Sequence, residues 1–152
     1  MIKLKILITI GVLAASAFAQ TRSFRDRPDI LLGLKSDRTA SLSFADVDGD
    51  KDLDAIVANG RHWPQINEVF LNNGKGRFTV GYTLGSLFAT SYAVPAADLD
   101  GDGDKDIVVG NDRAANMIYL NNGKGKYSLV GSLGPEVEPT RDVILADLNG
   151  DR

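Results

Sequence analysis

Cysteine is absent from the 152 residues, and histidine occurs once, as His62. The first absence excludes a disulfide framework, a thiol nucleophile and any zinc site built on thiolates. The second excludes a histidine-rich metal cluster. Basic residues are not in excess either: 17 Lys and Arg stand against 20 Asp and Glu, a net charge of −3. With no basic stripe, nucleic acid is not an expected partner. What the chain does have is 16 glycines with 5 prolines, which point to many turns and short strands rather than long helices. With 43% apolar and 24% charged residues, its composition is that of one globular domain at most.

Long apolar runs are missing except at the N-terminus. Residues 1–19 read MIKLKILITIGVLAASAFA. Lys3 and Lys5 precede the apolar run Ile6 to Ala15, and Ala17-Phe18-Ala19 has the small-x-small pattern that signal peptidases cut. Ten residues rise only about 15 Å as a helix, half of a bilayer core. A cleaved export signal is therefore expected over 1–19, with a mature chain starting at Gln20, and no permanent membrane span. The expected location is secreted, periplasmic or cell-surface. Residues 20–40 read as a leader or a partial blade strand; within them, Pro28 to Leu32 resembles a strand without a loop before it.

The rest of the chain repeats. ADVDGDKDLDAIVAN (45–59) and ADLDGDGDKDIVVGN (97–111) agree at nine of fifteen positions. NEVFLNNGKGRF (67–78) and NMIYLNNGKGKY (116–127) agree at seven of twelve. A third copy starts at Ala146 as ADLNGDR. The first aspartates, Asp46, Asp98 and Asp147, give a period of about fifty residues. The units are read as 41–90, 91–139 and the start of a third over 140–152. Each is expected to be a four-stranded antiparallel meander. In the first, the strands are Ser41–Val47, Asp54–Ala58, Glu68–Leu71 and Arg77–Leu84. In the second, they are Tyr92–Leu99, Asp106–Gly110, Met117–Leu120 and Lys126–Leu133. Asn72-Asn73-Gly74 and its copy are hairpin turns, since Asn and Gly tolerate positive φ. Four-stranded units of this length suggest an all-β fold of β-propeller blades, about two and a half of them, in an incomplete propeller. A calcium-dependent β-solenoid or sandwich is the other reading.

Aspartates carry the chemistry. Counting Asp46 as position 1, carboxylates fall at 1, 3, 5, 7 and 9: Asp46, Asp48, Asp50, Asp52 and Asp54. The second loop has Asp98, Asp100, Asp102, Asp104 and Asp106 in the same places. Hard oxygen donors at that density suit calcium, which takes six to eight. Magnesium is a poorer match for a crowded carboxylate cage. The plainer alternative is a solvated acidic turn. Against it stands repulsion of roughly 4 kcal/mol for two carboxylates about 4 Å apart at an effective dielectric of 20. An EF-hand needs Glu at position 12, where this chain has Val57 and Val109.

DxDGDxxxD followed by an apolar strand, every fifty residues, resembles the FG-GAP or VCBS repeat of integrin-α-type β-propellers. The resemblance spans about 41–152. It implies that positions 1, 3, 5 and 9 supply carboxylates and position 7 its backbone carbonyl. One structural calcium site is then Asp46, Asp48, Asp50 and Asp54 with the Asp52 carbonyl. The other is Asp98, Asp100, Asp102 and Asp106 with the Asp104 carbonyl. The third copy offers Asp147, Asn149 and Asp151 but lacks positions 7 and 9.

Other signals are weaker. Trp63, inside Arg61-His62-Trp63-Pro64-Gln65, either meets a sugar or protein partner or covers a core edge. His62 has no arrangement of catalytic partners around it. Glu136 and Glu138 read as loop solvation beside two prolines. The expected function is a secreted calcium-stabilised module for adhesion or for binding protein or carbohydrate, joined to the remaining blades of a longer chain. The alternative is a piece of a secreted carbohydrate-active lyase or hydrolase with its catalytic residues elsewhere. The motif does not decide between them.

Overall fold

The computed structural model describes residues 32–33, 35–134 and 137–150. The expected export signal over 1–19, the stretch 28–31, Glu136 and Asp151 lie outside the described residues. The described residues contain no helix. The apolar, β-branched runs between Asp-Gly and Asn-Gly turns form nine strands in two antiparallel sheets. The first sheet has the order β1 (Thr39–Ala45), β2 (Asp54–Asn59), β3 (Glu68–Asn72) and β4 (Phe78–Thr83). In the second, β5 (Ser91–Ala93) and β6 (Ala96–Ala97) both pair with β7 (Asp106–Asn111), which is followed by β8 (Met117–Asn121) and β9 (Tyr127–Ser132). These are blade-type meanders.

Two strand expectations need correction. The first strand ends at Ala45 rather than Val47, because Val47 already belongs to the Asp loop and donates its N–H to Asp54. The single strand expected over Tyr92–Leu99 is two short ones. Pro95 between them has no N–H to give to the ladder, although its carbonyl still accepts from Val108 at 3.1 Å.

All residues of β2 and β7 are buried, as expected for strands covered on both faces. Side chains alternate across the sheet. Ile56 and Ala58 therefore pack with Val47, Val69 and Leu84 against Val94, between β5 and β6, and against Ile107, Val109 and Tyr119 of the second sheet. Ala55 and Val57 face the other way, with Phe70 and Phe78. On the far side of β7, a Cβ on Gly110 would stand 2.8 Å from Val143, so glycine lets the third-repeat segment lie against the sheet.

A repeated relay of hydrogen bonds ties the blades at the end away from the Asp loops. Thr39 donates to Asn59 at 3.0 Å, and Ser91 donates to Asn111 at 2.7 Å. Across the blade junctions, Asn67 donates to Ser91 and Asn116 to Thr140, each at 2.9 Å. Each hydroxyl at a junction thus meets an amide of the preceding blade.

Candidate metal centre

Each Asp loop closes an antiparallel strand pair. The loop 46–53 runs between Ala45 and Asp54, which are cross-strand partners, and 98–105 runs between Ala97 and Asp106 likewise. The aspartates first organise the loop backbone. In the first loop, Asp46 accepts the N–H of Gly49 at 2.8 Å and that of Lys51 at 3.0 Å. Asp48 accepts from Asp50 at 3.3 Å and Asp50 from Asp52 at 2.9 Å. The second loop repeats this pattern through Gly101, Gly103, Asp102 and Asp104. In the third copy, Asp147 accepts from Gly150 at 2.7 Å, so that copy starts its turn in the same way. Position 4 takes positive φ in both full loops, 82° at Gly49 and 84° at Gly101, where glycine carries no steric penalty.

Position 9 acts as the keystone. Asp54 is fully buried and accepts the N–H of Val47 at 2.9 Å and of Asn72 at 2.8 Å. Asp106, equally buried, accepts from Leu99 and Asn121, both at 2.8 Å. One carboxylate therefore holds the start of its loop and the start of the Asn-Asn-Gly turn together. Position 7 points elsewhere: a Cβ on Gly74 would meet the Asp52 carboxylate at 2.5 Å, and one on Gly123 the Asp104 carboxylate at 2.7 Å. These side chains lie against the turn of their own blade.

Three carboxylates converge in each loop. Oxygens of Asp46, Asp48 and Asp50 lie within 4.8 Å of one another, as do those of Asp98, Asp100 and Asp106. Among the described residues no ion pair reaches any of these six; the salt bridges seen are Lys35–Glu68 and Arg141–Asp112. The strain shows in the protonation equilibria. Partial burial, then the charges of Asp50 and Asp46, push the Asp48 carboxyl above its ordinary value, against the amide of Asp50 that pulls it down. Burial also pushes Asp54 up, opposed by the amides of Asn72 and Val47. Asp100 and Asp104 are raised by lost hydration and by neighbouring aspartates. The Tyr82 phenol is pushed up to about 12 by burial and by the charges of Asp54 and Asp48. An all-oxygen donor set with unneutralised charge fits a hard divalent cation.

A family model described as FG-GAP-like repeat matches residues 46–109 and 98–152, and both matches start at the first aspartate of a loop. The chain belongs to the FG-GAP-like repeat family. Such repeats are blades of β-propellers, in agreement with the two meanders. No curated protein and no solved structure matches significantly.

Of the residues singled out in the sequence, Asp46, Asp48 and Asp50 come together, and so do Asp98, Asp100 and Asp106. Asp52, Asp54, Asp102 and Asp104 stand outside those two triads. Trp63 is 62% exposed, so it does not cover a core edge; the Arg38 guanidinium lies 5.8 Å from its ring centroid. Sequence reasoning missed Asn59, Asn67, Asn111, Asn116 and Asn121. All five occupy matched positions in the repeats, which is the signal that marks them.

Proposed function

We propose that this chain is an exported propeller-blade module whose two Asp loops each hold a structural calcium ion, and which binds a protein or carbohydrate through the opposite, loop-bearing end. The observation carrying the metal reading is the convergence of three carboxylates in each loop, reached by no ion pair among the described residues. Asp46, Asp48, Asp50 and Asp54, with the carbonyl of Asp52, hold one ion. Asp98, Asp100, Asp102 and Asp106, with the carbonyl of Asp104, hold the other. The turning of the Asp52 and Asp104 side chains toward Gly74 and Gly123 supports a carbonyl role at position 7. Calcium, when bound, neutralises the clustered charge and ties the β1–β2 and β6–β7 connections.

Export rests on residues 1–19, and binding rests on exposed Trp63 with Arg38 beside it. No helix among the described residues is long and apolar enough to cross a membrane. The module is proposed to act with further blades of its own repeat type. Calorimetry tests the metal reading. Calcium should bind at about 0.1–1 mM, the range of extracellular modules. Asp50→Ala and Asp102→Ala should each reduce the heat, and calcium should raise the melting temperature. If the parent protein shows no calcium-dependent heat and no melting shift, the metal reading is refuted.

A further inference from the structure

The two loops differ in what lies over them. The Asn-Asn-Gly turn of the second blade sits on the Asp loop of the first. Asn121 donates its side-chain amide to the carbonyl of Val47, at 2.7 Å, and Val47 lies between Asp46 and Asp48. A Cβ on Gly125 would lie 3.5 Å from the Cβ of Asp48 and 3.6 Å from Val47, and one on Gly49 3.5 Å from the carbonyl of Gly123. Tyr82, from the first blade, donates its hydroxyl to the carbonyl of Gly125. The corresponding glycines elsewhere are open: a Cβ on Gly76 or on Gly101 would meet nothing within 4 Å. Asn72, the counterpart of Asn121, gives its side-chain amide to Leu53 of its own loop at 3.1 Å.

We propose that each Asp loop is completed across the blade junction by the Asn-Asn-Gly turn of the blade that follows it, with Asn121 as the positioning residue for the first loop. This rests on the calcium reading given above. The Val47 carbonyl, fixed by Asn121, sets the direction of the chain between two ligands, Asp46 and Asp48. Asn121 also gives its side-chain amide to the carbonyl of Lys105 at 3.2 Å, and its backbone N–H to Asp106. The same residue thus touches both loops. Partners that hold a ligand in place shift metal affinity by about 10- to 100-fold. The chemistry that would complete the second loop is another such turn: an asparagine amide for the Leu99 carbonyl, followed by glycines that admit close approach.

The test is a calcium titration of the full chain followed at the Gly49 and Gly101 amides, whose N–H groups are bound by Asp46 and Asp98. Asn121→Ala should weaken calcium about tenfold at the Gly49 reporter, although residue 121 lies in the other blade. Gly125→Ala and Gly76→Ala form the control pair. Their φ values are 68° and 71°, so the backbone penalty is shared, but only at residue 125 would the added Cβ meet the first blade, 3.0 Å from the Tyr82 hydroxyl and 3.5 Å from the Asp48 Cβ. Gly125→Ala should weaken the Gly49 response and Gly76→Ala should not. Equal effects of the two, or an Asn121→Ala effect confined to Gly101, would overturn the proposal. If neither reporter responds to calcium in the parent, the metal reading fails by itself. Hydrogen exchange of the buried Val47 amide without metal then decides: faster exchange in Asn121→Ala supports the positioning role, and unchanged exchange overturns it.

Discussion

The two Asp loops are near-copies in sequence and in hydrogen bonding, yet their surroundings are unequal. The first lies under the neighbouring blade, so Val47 at position 2 is 1% exposed. At the matching place in the second loop, Leu99 is 40% exposed. The same motif is thus half of a site in one context and a surface turn in another. The local sequence closes the turn through Asx hydrogen bonds, and the next repeat supplies the cover. In repeat architectures the neighbour interface carries much of the stability, and here that interface runs through the ligand loop itself.

The largest test of this comparison is removal of each keystone. Asp54→Ala orphans the N–H groups of Val47 and Asn72, and Asp106→Ala those of Leu99 and Asn121. Each orphaned donor away from water costs about 1–3 kcal/mol, so each variant should lose about 2–6 kcal/mol in calcium-free chemical unfolding. The two losses should differ. Asp106 holds the backbone of Asn121, which in turn holds the first loop, whereas the side-chain amide of Asn72 stays within its own blade. Asp106→Ala should therefore be the costlier. Equal losses would mean that the loops are energetically separate.

A smaller difference lies at position 6. Both loops take positive φ there, 76° at Lys51 and 94° at Gly103. The left-handed region costs a residue with a side chain about 1–2 kcal/mol, whereas glycine's extra freedom when unfolded costs about 0.5–1 kcal/mol. Lys51→Gly should therefore stabilise the chain by about 0.5–1 kcal/mol, and Gly103→Lys should destabilise it by a similar amount. Thermal melts of both exchanges, with and without calcium, check this. A destabilised Lys51→Gly would show that the Lys51 side chain makes a contribution larger than its backbone strain.

Much of this was legible in the sequence, because the repeat compares the chain with itself. Period, motif and alternation placed β2 and β7 to within one residue, and the Asn-Asn-Gly turns at the loop end of each blade. The break at Pro95 was overlooked because Tyr92–Leu99 reads as one largely apolar strand, and a missing N–H leaves no trace in hydrophobicity. The asparagine relay was overlooked for a related reason. Asn59 and Asn111 look like turn residues when taken alone, and only the fold shows that Thr39 and Ser91 stand opposite them. The covering of the first loop by residues 121–125 was beyond reach. It joins positions more than seventy residues apart, and no local spacing encodes that.

The smallest and most easily reversed effect is that of pH. Asp48 and Asp54 in the first loop, and Asp100 and Asp104 in the second, all titrate above the ordinary value of 3.8 in the folded chain. A carboxyl with a raised folded value binds its proton more tightly when folded. Without metal, its contribution to stability is therefore least favourable at neutral pH. It improves as pH falls through the folded value, and the gain is complete below the unfolded one. Calcium inverts the sign, since it holds the ionised form and protons compete with it. Melting temperatures between pH 7 and pH 4 should rise with acidification in a chelator and fall in excess calcium, so that the two curves converge. If the curve in chelator falls as steeply as the calcium curve, the amides of Val47, Asn72, Leu99 and Asn121 outweigh carboxylate crowding. The loops would then be self-sufficient acidic turns that need neither a cation nor a neighbour.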